Sequence, residues 1–172
     1  MRTLSLTFRR SHTDEMSGEI DVMLVTIAHP DLVGLGHADG KIRLSSDPTE
    51  RFSVDPLRYG TTSRGQQFEF LPFAWRIPED GEEAQPTIPL AIANFSQDLV
   101  ALLRSTTEPA LVTCEVVAAS APDVVEIAFP EFDLTSVQGD TALLTITLSI
   151  DMLSNEPVPA DTVSPAYFPG LF

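Results

Sequence analysis

Apolar and polar residues alternate with a period of two along much of this chain. The cleanest run is Ala142, Leu144, Ile146, Leu148 and Ile150, with Thr141, Thr145, Thr147 and Ser149 between them; only Leu143 breaks the polar face. Successive strand side chains point to opposite faces, so this spacing predicts a half-buried strand. Ile88, Leu90 and Ile92 alternate likewise around Pro89, which has no N–H to give to a ladder, so this strand is expected at an edge or at a bulge. Val112, Cys114 and Val116 share one face of a third run, and Val125, Ile127 and Phe129 share one face of a fourth. The stretch 118–123 between them is short enough for a hairpin. Further strands are expected over 20–28, 41–45 and 67–75, the last carrying Phe68, Phe70, Phe73 and Trp75. The expected count is about seven.

A helical period is clear only from Ser96 to Arg104, where Leu99, Leu102 and Leu103 fall on one face. Ser96 suits the N-cap, and Asp98 and Arg104 lie at the ends that the helix dipole favours for their charges. Residues 3–13 are compatible with either a strand or an amphipathic helix. No fixed-period repeat is visible. Many short strands with one helix, and no regular strand–helix alternation, predict a mainly β fold: an antiparallel β-sandwich or distorted barrel with one short α-helix.

The last segment departs from both periods. Pro157, Pro159, Pro165 and Pro169 each fix φ and remove a donor, so an extended course is expected from 157 to 172, beyond a β-domain of residues 1–156. Tyr167, Phe168, Leu171 and Phe172 are apolar where a disordered segment is usually polar. Pro165, Tyr167, Phe168, Pro169, Leu171 and Phe172 are therefore the candidate interaction residues, an arm suited to lie in a groove of its own domain or of a neighbour.

With 172 residues and 43% hydrophobic content, the chain can bury one sizeable core. Its formal net charge of −15 argues against a surface that grips nucleic acid, which needs basic clusters to neutralise phosphates. The single cysteine, Cys114, cannot form an intrachain disulfide and is expected as a small core residue. No run approaches the length of a membrane helix, so no membrane partner is expected.

Candidate chemistry is sparse. The glycines of Gly34, Gly36 and Gly40 lack the pattern of a phosphate loop and read as a hairpin loop. His29 with Asp31 and His37 with Asp39 repeat a spacing that a metal site could use, but turn residues have the same composition. Cys114 lies mid-strand rather than beside a base, and no serine sits in a nucleophile-elbow context. The acids Asp80, Glu82 and Glu83 form a charged loop without calcium-loop spacing. These features point away from an enzyme, and no cofactor is expected.

Several landmarks in order resemble a family of tail-tip proteins of long-tailed bacteriophages. They are the early strand followed by His29-Pro-Asp-Leu32, Phe70-Leu-Pro-Phe73 with Arg76-Ile-Pro78, and Leu90-Ala-Ile-Ala-Asn94 leading into the short helix. The hairpin Ala119–Asp123 and the closing Pro165–Phe172 complete the set. Between Leu32 and Gln66 the chain departs from the pattern. The resemblance implies a non-enzymatic structural component of the tail tip or baseplate. Its expected form is a homo-oligomeric ring that links the tail tube or tape measure end to the central hub. Its expected location is the virion, assembled in host cytoplasm, with DNA passing through the lumen without specific binding. The alternatives are a carbohydrate- or receptor-binding β-module, for which Trp75 and Tyr59 are the candidate aromatic platform, and a hydrolase.

Overall fold

The computed structural model describes residues 4–75, 87–93, 109–129, 131–139 and 143–149. The helix expected over Ser96–Arg104, the acidic loop of Asp80, Glu82 and Glu83, and the arm from 157 to 172 lie outside the described residues.

The fold is mainly β. Its strands are β1 (Asp21–Ala28), β2 (Lys41–Ser45), β3 (Glu50–Val54), β4 (Leu57–Ser63), β5 (Gln66–Phe70) and β6 (Phe73–Trp75). They continue with β7 (Thr87–Ala93), β8 (Leu111–Ala118), β9 (Ala121–Ala128), β10 (Phe132–Gly139) and β11 (Leu143–Ser149). The described strands thus number eleven rather than about seven. Two of the added strands are β3 and β4, whose mixed polar sequence hides their period. The expected strand over 67–75 is divided at Leu71-Pro72, because proline cannot carry a ladder donor through a bend. Near the N-terminus the undecided segment is helical: α1 spans Leu6–Ser11, Ser5 caps it by accepting from the Phe8 N–H, and Phe8 is buried.

The strands follow the path β3-β4-β5-β2-β1-β8-β10-β11-β7-β6, with β9 also on β8. All pairs are antiparallel except β2 with β5, which the β3–β4 hairpin connects as a crossover. Pro89 does not sit on an edge strand, because β7 lies between β11 and β6. The described β6 residues pair with Leu90–Ile92.

Strand β8 is where the sheet divides. Its first residues pair with β10 through Leu111 and Val112, and its later ones pair with β9 from Glu115 to Ala118. The β10-β11-β7-β6 arm folds over one face of β1, β2 and β8. Between these layers lies an apolar void of about 10 Å³, with Val25, Ile27 and Val112 on one wall and Phe73, Leu90 and Ile146 on the other. In the register of β1 with β8, Val25 stands opposite Cys114, Met23 opposite Val116 and Ile27 opposite Val112; all six are buried in this main core.

The other face of β1 is buried as well. Val22 and Leu24 pack with Phe68 of β5 and Val117 of β8 in a second cluster. Four consecutive buried residues, Val22 to Val25, mark β1 as a strand covered on both sides. The β2-β5-β4-β3 arm curls over this second cluster until the β4–β5 turn reaches β9. The rolled sheet does not close by a ladder. Side chains span the gap: the Ser63 hydroxyl donates to the Pro122 carbonyl at 2.7 Å, the Arg64 N–H donates to Asp123, and the Arg64 guanidinium pairs with Glu115.

Two further contacts bind the N-terminal segment to this frame. The Ser5 N–H donates to Glu126 of β9 at 2.7 Å, placing a buried carboxylate at the start of α1. Glu19 accepts from both the hydroxyl and the N–H of Ser120 in the β8–β9 turn, and these hydrogen bonds hold its carboxyl below the usual range.

Candidate binding groove

The β1–β2 connection builds one wall of an open groove. Its Pro30–Leu35 segment is a 310 helix capped by Gly36, whose φ of +99° favours glycine. His29 opens this turn, accepting from the Asp31 N–H at its Nδ1 (3.1 Å), so in the neutral ring the proton sits on Nε2. That Nε2 is buried with no hydrogen-bond partner among the described residues. The chain then returns through His37, Ala38 and Asp39 into β2.

Asp39 pairs with Arg43 of β2 at 2.6 Å, and hydrogen bonding from that guanidinium depresses its carboxyl pKa. Across the groove, Arg58 of β4 meets Glu69 of β5 through two parallel hydrogen bonds of 2.8 and 2.9 Å, which raise the arginine's pKa. Phe52 of β3 and Gln67 of β5 complete the lining of a groove of about 320 Å³. Phe52 lies against β4 because residue 60 is glycine: a Cβ there would stand 2.5 Å from the ring and 1.9 Å from the Phe68 carbonyl oxygen.

The candidate metal residues are not gathered into a site. His37 and Asp39 line the groove, while the His29 ring is buried in the turn and occupied at Nδ1. No group of three His, Cys, Asp or Glu side chains suited to a metal occurs among the described residues. Cys114 is buried, and burial pushes its thiol up to about 12, far from nucleophilic at neutral pH.

Tyr59 and Trp75 do not form a platform. Tyr59 is on β4, 37% exposed, whereas Trp75 is on β6 at the far end of the strand path and packs on the main core. The interaction residues Pro165, Tyr167, Phe168, Pro169, Leu171 and Phe172 lie outside the described residues. The groove itself escaped the sequence reading. The one available signal was the polar alternation of Gln67 and Glu69 about Phe68, a pattern shared by any half-exposed strand. A scan against protein-family models and a search of curated proteins both find no match.

Proposed function

We propose that this chain is a structural subunit of a bacteriophage tail tip or baseplate. It forms a ring between the tail tube or tape measure end and the central hub, and acts in the virion without catalysing a reaction. The observation that carries this reading is the arm Pro165–Phe172, which closes an ordered set of landmarks resembling that family. A β-domain suits the role, because cyclic assembly uses heterologous contacts in which a projecting segment of one copy meets the next.

The test is deletion of Pro165–Phe172, assayed by thermal unfolding of the isolated protein and by incorporation into tails. The expected result is a folded domain that incorporates poorly. Each large apolar side chain buried at a partner contributes roughly 1.5–3 kcal/mol before the arm's ordering is subtracted. Normal incorporation would refute the docking role, and unfolding would assign the arm to its own core.

A further inference from the structure

The groove carries more chemistry than a solvated sheet face needs. Phe52 is half-buried, seated over Gly60, and what remains accessible of it lines the groove. Beside it, the Arg58–Glu69 pair holds two charged groups in one plane. The pair uses two of the five guanidinium donors and one lone-pair direction on each carboxylate oxygen, leaving donors and acceptors side by side. Gln67, on the same strand as Glu69, adds an amide, and Lys41 an ammonium, neither of which has a side-chain partner among the described residues.

Charge decides what such a groove would take. Three of the chain's ten basic residues, Lys41, Arg43 and Arg58, line it, yet Asp39 and Glu69 already neutralise the two arginines. An anionic ligand would meet one cation, Lys41, without an ion-pair partner among the described residues, on a protein of net charge −15. An uncharged polyol is served better, because adjacent hydroxyls need a donor and an acceptor together and a saturated ion pair presents both. An aromatic ring gives the apolar face of a pyranose something to cover. We propose that the groove binds an uncharged sugar, with one pyranose ring on Phe52 and its hydroxyls on the Arg58–Glu69 pair and Gln67. This inference does not depend on the ring reading.

The test titrates the full chain with cellotriose, maltotriose and N,N′,N″-triacetylchitotriose, following the side-chain resonances of Gln67 and Arg58 by NMR. At least one sugar is expected to bind in the millimolar range, the affinity suited to one stacked ring and a few exposed hydrogen bonds. Because the ligand is neutral, that affinity should stay unchanged as salt rises. Gln67→Ala should weaken binding about tenfold, the equivalent of one hydrogen bond to an oriented group. Phe52→Leu, which keeps cover over Gly60, should weaken it at least as much. The proposal is overturned if none of the three sugars binds, or if both variants bind like the native chain. Binding only of polyphosphate, falling with salt, would overturn it as well and assign the groove to anions.

Discussion

The Ser63 hydroxyl donates to the Pro122 carbonyl at 2.7 Å, joining two residues that lie 59 positions apart on strands with no shared ladder. Ser63 is buried and Pro122 half-buried, so loss of the hydroxyl leaves the Pro122 carbonyl only partly able to turn to water. Ser63→Ala should therefore cost about 1–2 kcal/mol, more than an exposed hydroxyl would. Urea denaturation should show a lower midpoint at unchanged slope. An unchanged midpoint would mean that the rolled sheet is held without this contact.

Gly60 should tolerate no side chain. An alanine Cβ would stand 1.9 Å from the Phe68 carbonyl oxygen, part of the backbone of the adjoining strand, and would press on the Phe52 ring. Gly60→Ala should destabilise the domain by at least about 2 kcal/mol. For a chain of this size that lowers the melting temperature by roughly 4–8 °C, measurable by calorimetry. A native-like melt would show that β4 and β5 can separate locally without loss.

Glu126 should govern the attachment of α1. Its buried carboxylate accepts from the Ser5 N–H, the residue that caps the helix. Glu126→Ala removes that acceptor and leaves α1 held chiefly by Phe8 in the main core. Hydrogen exchange across Leu6–Ser11 should speed up by about tenfold or more, while exchange in β1 and β8 changes little. Equal acceleration in all three would indicate global destabilisation instead.

Cys114 predicts a dependence on alkaline pH. Its thiol is raised from an ordinary value of 9.0 to about 12 by burial. Below pH 9 both folded and unfolded chains keep the proton, and the thiol leaves stability unchanged. Between 9 and about 12 the unfolded chain has lost the proton that the native state retains, so stability falls by about 1.4 kcal/mol per pH unit. Comparing native and Cys114→Ala proteins by denaturation above pH 9 isolates this slope. The native protein should lose stability more steeply, and parallel curves would contradict the assignment.

Much of the fold was legible because burial on one face leaves a period of two in the sequence. β2 was read with its observed ends, and β8 and β11 were read from the residues that now fill the main core, among them Val112, Cys114, Val116, Ile146 and Leu148. Their apolar side chains share one partner layer, so local spacing carries the information. β3 and β4 were not legible. Residues such as Arg58, Gly60, Thr61 and Ser63 gain their strand character from neighbours that arrive from elsewhere in the chain, and Thr61 and Ser63 are buried with polar partners, the Ser45 hydroxyl and the Pro122 carbonyl, rather than apolar ones.

The sequence by itself determined the mainly β class, the buried thiol, the net charge of −15 and the proline-rich, aromatic composition of residues 157–172, because each depends on residue type and short-range periodicity. Only tertiary structure decided that β8 serves two sheet arms, that Pro89 can lie in an inner strand, and that Phe52, Arg58, Gln67 and Glu69 share one groove with Asp39 and Arg43. Those outcomes depend on strand order and sheet curl, which arise from pairings between residues far apart in the chain. The polar faces of β3, β4 and β5 have no separate meaning until the sheet rolls and sets them side by side.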